Sequence, residues 1–284
     1  HAVINWIMGL CSGSICFLNS VKPFGNPFEN YTEKELIKID DGKFYRDNNG
    51  KFAKKDFLIY SYEECGLKGV FNEEFEKNHD KYVGKSGKRF DVLILRDPFN
   101  FFASRIKLEE YGILSLNIHL VDEKSKRIVM RMWKDYAKEY LDYTNYLKYN
   151  KVVITYNRWF QDKNYKKELA NKLGLKFKDI EDKFVSKYGP GSSFDKRKFD
   201  GKASEMKVLD RWQYFKDYPF FRSIFKDKEL LELSDKIFGK IEGTEYLFQN
   251  QGLIKKAFYN ARFRSFLLKG RSRFYAKKIL NAIK

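Results

Sequence analysis

Histidine and cysteine are scarce in this chain, with three of each among 284 residues. Cys11, Cys16 and Cys65 are too few and too scattered for a disulfide framework. Three histidines do not complete a zinc site with them. The expectation is a reducing, cytoplasmic setting and no metal. A run of about 20 apolar residues, the length a membrane span needs, is also missing. The nearest stretch, Ala2 to Leu18, is interrupted by Asn5, Ser12, Gly13 and Ser14, and it lacks the basic leading region of a signal peptide. Acidic residues are absent from Tyr246 to Lys284, a segment that carries ten Lys/Arg.

What is present sets the class. Hydrophobic residues make up 43% and aromatics 18%, enough apolar surface to offset the entropy of ordering, so a disordered chain is excluded. The net charge of +18 predicts anionic partners by long-range attraction, and more than half of it lies in the tail. Anionic lipid, acidic glycan and nucleic acid would all answer that charge. Nucleic acid ranks last because no recognised binding motif accompanies it. At helical spacing the tail places Ile254, Ala257, Phe258 and Ala261, then Ala276, Ile279, Leu280 and Ile283, among lysines and arginines. The organisation expected is an α/β domain over residues 1–245 and a basic helical tail over 246–284, docked on the domain and peripheral to a membrane in the second reading.

Along the chain, Val3 to Leu10 reads as a strand, Cys11 to Ser14 as a turn, and Ile15 to Leu18 as the start of a helix. Lys22 to Lys55 is an Asn-, Gly- and Lys-rich excursion. Phe57 to Tyr60, Val92 to Leu95 and Val152 to Tyr156 read as further strands. The run VLIL at 92–95 suits a strand covered on both faces. Val129, Trp133, Tyr136, Tyr140, Tyr143 and Leu147 recur every three or four residues, as on an amphipathic helix whose stripe is core. Another helix runs through Tyr165 to Leu173 and closes at Gly174. Tyr188 to Phe194 is a Gly-Pro-Gly loop, and helices follow through Leu209 to Phe225 and Lys228 to Phe238. Alternating strands and helices predict a three-layer α/β fold with a mainly parallel sheet flanked by helices.

Ligands in such folds sit at the carboxyl ends of strands, which directs attention to three places. Ser12, Gly13 and Ser14 would open a helix whose free N–H groups attract phosphate; a plain packing turn is the equal alternative. No Gly-Lys-Ser/Thr follows that turn, which counts against an ordinary ATPase or GTPase. Arg96 stands at the end of the VLIL strand and Ser104 follows eight residues later. A guanidinium and a hydroxyl converging on one anion form a clamp, although each residue alone is equally well a surface pair. The third place is the end of VVITY, at Tyr156.

Arg96-Asp97-Pro98 with Ser104 eight residues after the arginine resembles the 3′-phosphate segment of sulfotransferases that use 3′-phosphoadenosine-5′-phosphosulfate (PAPS). The Ser12-Gly13-Ser14 turn is similar to their 5′-phosphosulfate loop, and VVITY with a helix closing in Leu173-Gly174 resembles their next strand and helix. The Gly191-Ser192-Ser193-Phe194 loop resembles the adenine-side segment, and Asp210-Arg211-Trp212 a later Trp-containing element. These matches run in order from about residue 3 to 240. The resemblance implies that Ser12, Gly13, Ser14 and Ile15 form the 5′ loop and that Arg96 and Ser104 hold the 3′-phosphate. Tyr156 and Phe194 would lie near adenine, with Ser192 and Ser193 ordering that loop. Lys196, Arg197, Lys198, Lys202 and Lys207 would supply its basic 3′-phosphate loop.

Two departures stand out. Cys11 occupies the place of the family's Lys or Arg, and Ile15 that of a common Thr, so Lys107 or Lys22 would have to supply the missing cation. The activity implied is in-line sulfuryl transfer to a hydroxyl of a carbohydrate or other sizeable acceptor. Its general base would be Glu63 or Glu64, with His119 next; solvated carboxylates at a helix start are the equal alternative for the first two. The rival reading is a catalytically impaired chain that keeps the fold and binds anionic glycan or membrane through its tail.

Overall fold

The computed structural model describes residues 1–21, 26–28, 56–63, 65–70, 73–111, 122–180, 185 and 191–283, with side chains as far as Tyr275. The chain is mixed α/β, and its first two elements reverse the expected order. Ala2–Leu10 is helix α1, and Ile15–Leu18 is strand β1. The physical reason is visible in burial: Val3, Trp6 and Leu10 are the buried positions of the first segment, a spacing of three and four that belongs to a helix face. A short apolar run does not by itself distinguish that face from a strand.

Strand β1 pairs in parallel with β2, Phe57–Tyr60, in the register Ile15↔Phe57 to Leu18↔Tyr60. Strand β3, Val92–Leu95, pairs in parallel with β4, Val152–Thr155, in the register Val92↔Val152 to Leu95↔Thr155. Among the described residues these are two separate parallel pairs.

Among the described residues the helices that follow are α2 (Leu67–Val70), α3 (Glu73–Val83), α4 (Pro98–Glu109), α5 (Glu123–Tyr140), α6 (Tyr156–Gln161), α7 (Lys163–Lys172), α8 (Pro219–Ile224), α9 (Lys228–Phe238) and α10 (Leu253–Ile283). Short 3-10 turns occupy Ala203–Glu205, Arg211–Tyr214 and Thr244–Phe248. The expected helix over Leu209 to Phe225 is therefore divided. Pro219 opens α8, where its missing N–H costs nothing. The Trp133 stripe lies on α5 but stops at Tyr140; Tyr143 is exposed in the turn beyond. The buried Glu139 carboxylate closes that turn by accepting from the Thr144 hydroxyl and the amides of Tyr146 and Leu147. Helix α7 ends at Gly174 with φ +65°, and the Leu175 N–H returns to the Ala170 carbonyl, a Schellman closure. His79, which reads as an exposed loop residue, lies buried on α3 against Phe75.

Of the four apolar clusters among the described residues, two position the site. The larger joins α4, α5, α8, α9 and α10 around Phe102, Trp133, Phe215 and Phe221. The smaller joins α1, β4, α6 and α7 around Trp6, Ile154, Trp159 and Leu169. Helix α4 leaves the carboxyl end of β3 and borders the larger centre, which fixes the orientation of the residues described next.

Candidate functional site

Arg96 stands between β3 and α4. Its carbonyl accepts from Trp133 Nε1 at 2.9 Å, tying the strand end to α5. Asp97, fully buried, caps α4 by accepting from the Asn100 amide at 2.8 Å, and Pro98 occupies the first helical position. The Asn100 side chain donates back to Asp97 and across to the Leu209 carbonyl at 2.8 Å, and it accepts from the Trp212 amide. One buried asparagine thus fixes the 209–212 segment against the start of α4. Arg211 follows from that docking.

The two arginines meet over Ser104, two turns into α4. Arg96 Nη1 donates to Ser104 Oγ at 3.0 Å, and Arg211 Nη1 approaches the same oxygen at 3.4 Å. Arg211 Nη2 donates to Ser192 Oγ at 2.7 Å, and Nη1 lies 3.5 Å from Ser193 Oγ. Arg96 also donates to the Val208 carbonyl. The aromatic residues face the cations: Tyr156 lies 5.2 Å from the Arg96 guanidinium and Phe194 lies 5.3 Å from that of Arg211. The loop itself is held by Ser192, which donates to Asp195 and pairs through its backbone with Lys196.

Two carboxylates act on the two cations, Asp97 on Arg96 through its charge and Asp195 on Arg211. The Arg211 side chain is 10% exposed, and Asp195, at 3.5 Å, is the carboxylate that pairs with it. Burial and then the Arg96 charge bring the Arg211 guanidinium down to about 10, and burial lowers Arg96 as well. The Nε of each arginine is buried with no hydrogen-bond partner, a state that costs free energy unless an acceptor arrives. Lys107 adds no free charge. It pairs with Glu110 and lies over the Tyr214 ring at 4.4 Å.

Arg96, Ser104, Tyr156, Ser192, Ser193 and Phe194 are therefore brought together. Arg211 is the residue for which the sequence suggested no ligand role. Its signal was its place beside Trp212, which is buried.

The Ser12-Gly13-Ser14 turn lies elsewhere in the architecture. It follows a helix and precedes β1, at the strand's amino end, and Ile15 is the first residue of that strand. A helix-opening phosphate loop is therefore corrected at these four positions. The Ser14 amide and hydroxyl donate to Asp56 Oδ2 at 2.7 and 2.9 Å. Gly13 has φ +123°, and a Cβ there would stand 2.5 Å from the same oxygen. A carboxylate fills the turn. Beside it, burial raises the Cys11 thiol, opposed by the charge of Lys178, whose Nζ reaches the Gly9 and Cys11 carbonyls at 3.3 and 3.5 Å. Among the described residues Lys178 places a cation beside this turn, whereas Lys107 lies with Tyr214 and Phe194.

Glu63 lies 3.0 Å from His1 Nε2, and that hydrogen bond holds its carboxyl below the usual range. The charge of Arg105, the α4 residue after Ser104, acts in the same direction. Arg105 is itself brought down to about 10 by burial. Lys22, Glu64, His119 and Tyr188 to Pro190 lie outside the described residues. Among the described residues no cluster of His, Cys, Asp and Glu could hold a metal ion, and no helix is long and apolar enough to cross a membrane.

A scan against family models and searches of curated proteins and of solved structures found no match to this chain.

Proposed function

We propose that the chain binds the 3′-phosphate of an adenine nucleotide between Arg96 and Arg211 and is a sulfotransferase using PAPS on a hydroxyl of a carbohydrate or other sizeable acceptor. One observation carries the reading: two desolvated guanidiniums share the Ser104 hydroxyl, each with an unpartnered Nε, while Asp195 pairs with Arg211 and Asp97 acts on Arg96 through its charge alone. A phosphate supplies further negative charge, acceptors for those Nε atoms and the multidentate geometry that arginine fits. Ser104 and Ser192 would complete its shell, and Tyr156 and Phe194 border the place of the base. The three-layer parallel fold of the family belongs to this proposal as well.

The 5′ side does not fit the donor in the same way. The Ser14 amide and hydroxyl that would meet a phosphosulfate are held by Asp56, and Cys11 brings no cation. That observation favours a second reading, an anion-binding chain without transfer.

Thermal unfolding with 3′-phosphoadenosine 5′-phosphate, AMP and buffer tests the site. At about 100 times its dissociation constant a ligand stabilises by about 2.7 kcal/mol, which raises the midpoint by roughly 5 °C or more in a chain of this order of size. A rise with the 3′-phosphorylated nucleotide and little with AMP supports the assignment; equal rises with both would remove it. Labelled sulfate transfer from PAPS to a hydroxyl acceptor separates the enzyme from the binding protein.

A further inference from the structure

Helix α10 carries two apolar faces, and one of them is already used. Phe263 and Phe266 are buried in the larger centre, Tyr259 packs on Tyr218, and Gly270 lies against the Glu109 carbonyl at the end of α4. Arg273 donates to the Glu110 carbonyl at 2.7 Å. These contacts fix the helix in rotation. The face opposite them is then determined: positions 254, 258, 261, 265, 268, 272 and 275 alternate by four and three residues, and all are exposed. Four of them are large and apolar, with Ile254 at 88%, Phe258 at 59%, Leu268 at 64% and Tyr275 at 61% exposure. Ala261, Ser265 and Ser272 lie between. The stripe is continuous over about six turns of helix.

Its borders are basic. At 100° per residue, Arg262 and Lys269 fall along one edge and Arg264 and Arg271 along the other, all exposed. No acidic residue occurs from Tyr246 to Lys284. A second copy of this helix laid on the stripe would oppose cation to cation along both edges, with no carboxylate on either helix to relieve it. An anionic bilayer surface answers both features together. Its acyl boundary takes up the apolar side chains, and the arginine and lysine stems extend to its headgroups.

We propose that the outer face of α10 seats this protein in the plane of an anionic membrane surface. The helix lies in the interface, since its charges keep it from spanning. This does not depend on the nucleotide site, which is formed by other residues.

The full chain is tested by flotation with vesicles of phosphatidylcholine alone and of phosphatidylcholine with phosphatidylserine. Binding is expected to the serine-lipid vesicles, weaker to the neutral ones, and falling with added salt. The combined variant Ile254→Ser, Phe258→Ser and Leu268→Ser should lose binding at least about tenfold while keeping its unfolding midpoint, because all three side chains are exposed. Tyr275→Trp gives an independent reading. The native indoles of Trp6, Trp133, Trp159 and Trp212 are buried, so quenching by brominated lipid reports the new one. Wild-type chain that ignores both vesicle types, serine variants that bind unchanged, or an introduced indole that brominated lipid leaves unquenched would each overturn the proposal. So would a wild-type dimer, dissolved by the serine variants, that does not float with vesicles; a second copy would then be the occupant.

Discussion

Arg96 and Arg211, 115 positions apart in the sequence, direct their Nη1 atoms at one oxygen, the Ser104 hydroxyl. Two guanidiniums at that range repel, and burial strengthens the repulsion. The fold tolerates it because Asn100 fixes the Arg211 segment at both the Leu209 carbonyl and the Trp212 amide. Stored repulsion of this kind marks a place where an anion would be stabilising, which is why perturbed groups cluster at functional sites.

Arg211→Met is expected to separate binding from folding. The variant relieves the repulsion of Arg96 but gives up the donations to Ser192 and Asp195, while Ser104 keeps Arg96 and Ser192 keeps Asp195, so stability should fall by about 1 to 3 kcal/mol with the chain still folded. A charge-assisted hydrogen bond contributes about 1.5 to 3 kcal/mol, so affinity for 3′-phosphoadenosine 5′-phosphate should fall roughly tenfold to a hundredfold. Calorimetric titration checks it; unchanged affinity would place the phosphate elsewhere.

Gly13→Ala tests the other proposed end of the nucleotide. The residue has φ +123°, and its Cβ would crowd Asp56 Oδ2, so a loss of about 1 to 3 kcal/mol in stability is expected. Nucleotide affinity should not change, because Asp56 already occupies the turn. A specific loss of affinity with stability retained would return this turn to the 5′-phosphate.

What could be read without coordinates depended on how many constraints a segment carried. The strands at 57–60, 92–95 and 152–155 stand out because apolar, β-favouring residues end at polar or Asp-Pro boundaries. Lys228 to Phe238 has a capping Asp227 before it and Gly239 after it, and such punctuation defines both ends. Val3 to Leu10 has neither and is largely apolar, so its period is hidden until the buried positions are known. The candidate site divides in the same way. Arg96 and Ser104 share one strand-to-helix unit and are visible as a local spacing. Arg211 joins them through a hydrogen bond of Asn100 to a distant backbone, a tertiary event with no local pattern. The Ser14–Asp56 closure is likewise non-local.

Acid should reveal the tie between α5 and α9. Hydrogen bonds from Lys134 and Lys138 lower the Glu229 carboxyl from its ordinary 4.5 to about 2. A group depressed in the folded state contributes stability that is fully present above its ordinary range near pH 4.5 and is lost as pH falls toward about 2. Glu229→Gln should therefore flatten the stability profile across that window and leave its slope unchanged above it. The half-exposed carboxylate makes the effect modest. Urea midpoints at about pH 3 and near neutrality measure it; parallel profiles for the two proteins would show that the pair contributes nothing.

Gly270 decides whether the last helix is fixed to the domain or merely beside it. In an exposed helix interior, Gly→Ala stabilises by about 1 kcal/mol. Here the added carbon would fall on the Glu109 carbonyl oxygen, a backbone atom at the end of α4 that has no flexible side chain to give way. The sign should invert: Gly270→Ala is expected to lower the unfolding midpoint and to speed proteolysis within 253–283. Ser272→Ala, on the exposed face two residues away, should do neither. If Gly270→Ala instead raised the midpoint, the close approach of α10 to α4 would not exist in solution, and the rotation that turns Ile254, Phe258 and Leu268 outward would lose its anchor.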